Sequence, residues 1–279
     1  MPLAILSDPE LETVIRTLPA APRILAQLAQ RLQAIDADIE QITATLRRDA
    51  ALTARLIDMA NSATFLGFDP ATSIEDAVAR VGFRETHRII GAVASTQLAD
   101  EPLAYFGINP RRLRENSLFC ALVAEELSDR VGLDPGTAYT VGLLRSIGKV
   151  VLDRVARTRP GTVRFDPHRE LLVNWERAMF GVTDPEIAAR VLELWDFPAD
   201  AVEALREHGD ATVDASAAAQ LLNLAAGAAE VHGLGLPGER GHWQWDEAAF
   251  ARIGIDAEHA QWAAERASSI LQRVSPVFA

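Results

Sequence analysis

The sequence predicts an all-α fold, and three observations predict it. Asx-Pro pairs stand directly ahead of apolar helical periodicity at Asp8-Pro9, Asn109-Pro110, Asp134-Pro135, Asp166-Pro167 and Asp184-Pro185. Each offers a side-chain oxygen at the N-cap, followed by a proline whose missing N–H costs the first helical turn nothing. Val, Ile and Thr never alternate over a run long enough for a sheet. Hydrophobic residues make up 49% of the chain and aromatics only 6%, so the apolar content is mostly Ala, Leu, Val and Ile, a composition rich in helix formers.

Taken in order, the first Asx-Pro pair opens a helix at Asp8. Apolar residues then recur at helical spacing over Ala21 to Gln33 and over Asp38 to Arg47. Asp49 caps "AALTARLIDMANS". Ser73 and Asp76 form a capping-box pattern ahead of "IEDAVARVG", and Gly82 ends that helix as its C′ residue. A helix follows over Glu85 to Gln97. Three more begin at Asn109, Asp134 and Asp166, and "GLLRSIGKVVL" (Gly142 to Leu152) reads as one continuous helix. The last Asx-Pro pair places Asp184 as an N-cap. The remaining helices are expected at Pro198 to Glu207, Ala215 to Val231, Glu247 to Ile253 and Ala257 to Val274. Two stretches break the pattern, Ala99 to Pro110 and the glycine-rich Gly233 to Trp245. The first separates an N-terminal helical lobe at 1–98 from a second helical lobe at 99–210. The glycine-rich stretch is read as a long surface loop inside a C-terminal helical extension at 211–279.

The charge balance excludes some functions. With 27 basic and 39 acidic side chains the net charge is -12, which does not suit a nucleic-acid partner. No apolar run approaches the ~20 residues of a membrane span, and "MPLAILSDPELE" lacks a secretory pattern. The expected location is cytoplasmic. The single cysteine, Cys120, lies in an apolar phase and reads as a core residue.

"RRDAALTARLIDMANSATF" (Arg47 to Phe65) and "TSIEDAVARVGFRETHRI" (Thr72 to Ile89) carry a resemblance, together with "GLLRSIGK" and the Trp195-x-x-Pro198 pair. In this order they resemble the HDOD family, the HD-related output domains of bacterial signalling proteins, over roughly Leu18 to Gly209. The resemblance implies a multi-helix HD-like domain related to metal-dependent phosphohydrolases. In those enzymes histidines and aspartates hold divalent metals that generate a hydroxide. At the corresponding positions this chain carries Asn116, Arg145, Ser146, Asp184 and His208. Arginine has no lone pair to offer and repels a divalent cation. The six histidines include no HxxxH or HxxH pair that would put two imidazoles on one helix face. The expectation is therefore a degenerate site with no catalytic residues, no metal and no cofactor.

Several readings stay open at this level. Arg145 with Lys149 could anchor an anion such as a nucleotide phosphate, or Arg145 could pair with a local carboxylate in the space the metal left. Phe65, Leu66 and Phe68, with Trp243 and Trp245, are either partner surfaces or side chains folded back onto the core. Arg111, Arg112 and Arg114 sit in the first turn of a helix, against its macrodipole, which asks for an acidic partner in cis or in trans. The expected function is a non-enzymatic signal-transduction output or adaptor module acting through protein contacts. A nucleotide or small-anion sensor built on Arg145 is the alternative, and a residual phosphohydrolase stands behind both.

Overall fold

Ser7 opens the first helix. Its partner Glu10 accepts the Ser7 N–H at 3.0 Å, so the N-cap is Ser7 rather than Asp8. The computed structural model describes residues 6–19, 22–25, 27–28, 43–44, 46–47, 49–62, 70–210 and 214–274. Among them are thirteen α-helices: α1 (Asp8–Arg16), α2 (Ala50–Ala60), α3 (Ile74–Val81), α4 (Phe83–Leu98), α5 (Pro110–Leu127), α6 (Pro135–Leu144), α7 (Ile147–Thr158), α8 (Leu172–Phe180), α9 (Asp184–Leu194), α10 (Ala199–Glu207), α11 (Ala217–Val231), α12 (Glu247–Arg252) and α13 (Ala257–Val274). An isolated antiparallel bridge, Leu103 to Ile108, is the nearest approach to a sheet among the described residues. The fold is all-α, as the caps and the missing alternation predict. No helix of the described residues is long and apolar enough to cross a membrane.

Several predicted starts hold at atomic detail. Asn109 accepts the Arg112 N–H at 2.8 Å, Asp134 the Thr137 N–H at 2.8 Å and Ser73 the Asp76 N–H at 3.1 Å. Each such cap contributes about 1 kcal/mol. Gly82 ends α3 with φ 83°, a backbone angle open to glycine at little cost. Two Asx-Pro pairs behave differently. Asp166-Pro167 opens only a turn, with Asp166 accepting the His168 N–H at 3.0 Å. The N-cap of α9 is Thr183, whose N–H donates to the Glu186 carboxylate at 2.9 Å, and this frees the Asp184 carboxylate for another task. The predicted helices over Ala21 to Gln33 and Asp38 to Arg47 lie mostly outside the described residues, as do Phe65, Leu66 and Phe68. At 22–25 and 27–28 the chain is helical, and Ile24, Leu25 and Leu28 are buried.

The core is organised around α5, which packs against α4, α6, α11 and α13. Every side chain from Asn116 to Glu125 is buried, so this helix has no solvent face over nearly three turns. Close approach is secured by small residues: a Cβ on Gly142 of α6 would stand 2.8 Å from the Ala121 Cα of α5. Buried side chains of all three parts of the chain, from Leu6 to Leu271, belong to one cluster. The extension is thus built into the same core as the lobes it follows.

Candidate functional site

The stretch "GLLRSIGKVVL" is two helices, not one. α6 ends at Leu144, α7 begins at Ile147, and Arg145 and Ser146 form the turn between them. Asp184 stabilises that break from across the fold, its Oδ1 accepting the Lys149 N–H of the first turn of α7 at 2.9 Å. Gly148 makes the approach feasible, because a Cβ there would lie 2.2 Å from the Asp184 carbonyl oxygen. Both glycines of this stretch are therefore packing residues. The Ser146 hydroxyl, buried in the turn, has no hydrogen-bond partner in the protein.

The turn delivers Arg145 and Lys149 into the interior, at 1% and 2% exposure. Two cations there require carboxylates. One is Asp184, whose Oδ2 contacts the Lys149 Nζ directly. The other comes from the C-terminal extension, 94 residues beyond Arg145: Glu239 contacts the Lys149 Nζ at 2.7 Å and accepts from both Arg145 Nη atoms at 3.3 and 3.4 Å. Asn116 accepts from Arg145 Nη2 at 2.8 Å and gives its own amide to the Leu234 carbonyl at 2.9 Å. Trp243 lies over the guanidinium at 4.8 Å and donates its indole N–H to Glu239 at 2.9 Å. Burial alone would raise the Glu239 pKa, but Arg145 and then Lys149 outweigh it and hold the carboxyl at about 2.

The loop that carries Glu239 is fastened along its length. Gly227 leaves room for the Gln244 backbone, and Asn223 accepts the Gln244 N–H at 3.0 Å. Glu230 accepts the Gly241 N–H at 2.7 Å, and Arg112 donates to the Gly233 carbonyl. Gly238, immediately before Glu239, has φ +82°, and a Cβ there would meet the Phe165 ring at 2.4 Å. The loop is positioned by its neighbours and closes over the Arg145 turn.

His208 and Glu176 complete the site. His208 is fully buried, with Nδ1 at 2.6 Å from the Leu205 carbonyl oxygen, which can only accept, so the proton sits on Nδ1. Nε2 has no protein partner, and the ring stacks on Trp243 at 5.5 Å. Burial, reinforced by Arg145, lowers its pKa to about 3, so the imidazole is neutral. Glu176 of α8 accepts the Asp184 N–H through Oε2 at 3.1 Å while Oε1 has no partner. Burial raises its pKa to about 8 against the pull of Lys149, so the acid is protonated at neutral pH. Two cations then face two carboxylates and one neutral acid.

This donor set does not fit a divalent metal. Among the described residues no three His, Cys, Asp or Glu side chains stand together as a metal-binding group. The carboxylates nearest the turn are already held by an ammonium and a guanidinium, which would repel a cation placed between them.

Of the residues singled out from sequence, Asn116, Arg145, Lys149, Asp184 and His208 converge here, with Ser146 in the turn. Arg145 is 1% exposed and is not part of the lining of the cavity beside it, and the anion it meets is the chain's own Glu239, a distant carboxylate rather than a local one. Trp243 and Trp245 fold inward, Trp245 edge-on to Phe250 at 5.0 Å. The basic trio is answered in cis: Arg111 by Glu115, Arg112 by the Gly233 carbonyl and Arg114 by the Ala99 carbonyl. Sequence reasoning missed Glu239 and Glu176. The signal for Glu239 was indirect: a buried arginine needs a carboxylate, and the glycine-rich loop held a glutamate between Gly238 and Arg240.

The HDOD domain family matches residues 18–211. The chain belongs to the HDOD domain family. A Treponema pallidum (strain Nichols) protein of unassigned role is 25% identical over 203 residues, covering 70% of this chain and 38% of that protein. This chain thus spans well under half the length of that relative. Among solved structures, an HDOD domain protein of unknown function from Geobacter sulfurreducens superposes with a TM-score of 0.66 at 23% identity, covering 93% of this chain and 94% of that one. A Marinobacter aquaeolei VT8 protein provisionally assigned to signal transduction gives 0.70 at 20% identity, covering 99% of this chain and 61% of that one. The HDOD match ends at residue 211, so Glu239 and its loop lie beyond the matched region.

Proposed function

We propose that this HDOD protein is a non-catalytic output or adaptor module of signal transduction, working through contacts with other signalling proteins. Glu239 carries this reading. By resemblance, the Arg145 turn stands where catalytic HD relatives hold their metal, and here the chain inserts its own carboxylate against two buried cations. An ion pair of this kind is costly to open, because either partner left alone is an uncompensated buried charge. Catalysis by the HD route would need that network dismantled and replaced by neutral imidazoles and free carboxylates.

Elemental analysis tests the reading, on purified protein incubated with manganese, iron or zinc and then desalted, together with hydrolysis of bis(p-nitrophenyl) phosphate. The expected result is no stoichiometric metal and no turnover above buffer. Retained metal at one or two ions per chain, or metal-dependent hydrolysis, would overturn it.

A further inference from the structure

A cavity of about 310 Å³ opens beside the charge cluster, between α8, the start of α9 and the 233–246 loop. Its wall combines buried charge with apolar surface. Lys149, Asp184 and Glu239 line it and, with Arg145 behind them, balance in charge, and Arg177 is held by Glu186 at 2.7 Å. Glu176 is different. It is 2% exposed and lines the cavity, and its Oε1 is closed off from solvent and has no protein donor. Leu171, Leu172 and Val173 form an apolar lip, with Leu171 at 68% and Val173 at 43% exposure. The exposed lining carries both signs, Arg240 and Asp210, with Arg206 already held by Glu193 at 2.5 Å and Glu203 at 3.1 Å, and so does not select a charge. Selection is left to the floor.

From this geometry we infer that the cavity is a binding site for a small primary amine, its ammonium donating to the Glu176 carboxylate as that side chain turns its unpartnered oxygen towards the cavity, and its carbon chain lying along Leu171, Leu172 and Val173. The charge count supports a cation. Arg145 and Lys149 balance Asp184 and Glu239, so an ionised Glu176 is the one carboxylate of the cluster with no counter-charge. In the free protein it is protonated instead, its pKa raised to about 8 by burial. An ammonium supplies the missing charge, and Glu176 then gives its proton to solvent. A carboxylate ligand would meet an acid that cannot pair with it in that way. The inference holds whether or not the protein is catalytically silent, since it uses none of the groups a metal route would require.

Titration calorimetry at neutral pH, with n-butylammonium, 1-butanol and butyrate as probes, tests this. Butylammonium should bind in preference to its neutral and anionic counterparts. Each added methylene that reaches the lip should tighten binding by up to about fourfold. Run in buffers of different ionisation enthalpy, the titration should show about one proton released per amine bound, falling towards none above pH 8. Glu176→Gln keeps an acceptor for the Asp184 N–H and should weaken the amine at least about tenfold, the order of a lost charge-assisted hydrogen bond, and abolish proton release. Val173→Ser, at an exposed position, should shrink the chain-length gain and leave proton release intact. The proposal falls if no amine binds, if butyrate binds as tightly as butylammonium, or if Glu176→Gln binds the amine as wild type does. Failure on any of these leaves the non-catalytic reading untouched, because that reading turns on metal and hydrolysis.

Discussion

Two buried charge clusters flank α5, and they solve the same problem differently. Between α4 and α5, Glu125 takes Arg84 on one carboxylate oxygen and Arg88 on the other, at 2.7 and 2.8 Å. Glu126 takes Arg88 and Arg84 on Oε1, and Arg266 of α13 on Oε2 at 2.8 Å. Every oxygen of these two acids has a guanidinium partner, and the cluster serves as a clamp on three helices. The Arg145 cluster is less complete. Of the seven buried side-chain polar atoms without a protein hydrogen bond among the described residues, four belong to Arg145, Ser146, Glu176 and His208. Unmet polarity collects in this cluster, and of the four residues Glu176 lines the cavity.

The largest expected effect breaks the second cluster at its centre. Glu239→Ala leaves Arg145 and Lys149 short of a carboxylate and should cost about 3–5 kcal/mol in urea denaturation. Replacing Arg145 and Glu239 together by Met and Leu should cost clearly less than Glu239→Ala alone, because Lys149 keeps Asp184 and no charge is orphaned. A double variant as damaged as the single would mean the loop is held by something other than charge.

The clamp should be the more forgiving cluster. Arg88→Ala removes bonds to three carboxylates, yet Arg84 and Arg266 remain, so a loss of about 2–3 kcal/mol is expected, short of Glu239→Ala. An equal or greater loss would reverse the ranking of the two regions.

Protonation separates them next. Glu176 has a folded pKa of about 8, raised above its unfolded value. Its contribution to stability is present below the unfolded pKa and is lost as pH rises towards 8. His87 and His208 have folded pKa values lowered by burial to about 4 and about 3. Their contributions act the opposite way, lost as pH falls from about 6.5. Between pH 6.5 and 8 the Glu176 contribution should decline by about 1–2 kcal/mol, at up to about 1.36 kcal/mol per unit. Near pH 6.5 the still-rising contributions of the two histidines offset it, so it is read as the difference between wild type and variant. Glu176→Gln should flatten it. A decline that survives in the variant would place the proton elsewhere.

The smallest effect belongs to Arg84→Ala. Its side chain is 53% exposed, so water replaces it readily and the loss should stay within about 1 kcal/mol.

The helices were legible because their causes are local. Asn109, Asp134 and Ser73 each bond an N–H three residues on, a distance a sequence pattern can express. The same local rule misassigned Asp184, because Thr183 with Glu186 made the better cap and a tertiary contact claimed the aspartate. The break after Leu144 was invisible for a related reason: its stabilising carboxylate comes from another helix, and its glycines matter only for what packs on them.

Sequence alone determined that the chain is helical, that it resembles an HDOD domain, and that an arginine stands where a metal ligand would be expected. Only the tertiary structure decided what answers that arginine. Burial of a charge demands compensation wherever the fold can bring it, and here it arrives from Glu239, 94 residues away, in a loop whose composition advertised tryptophans and glycines rather than its acid.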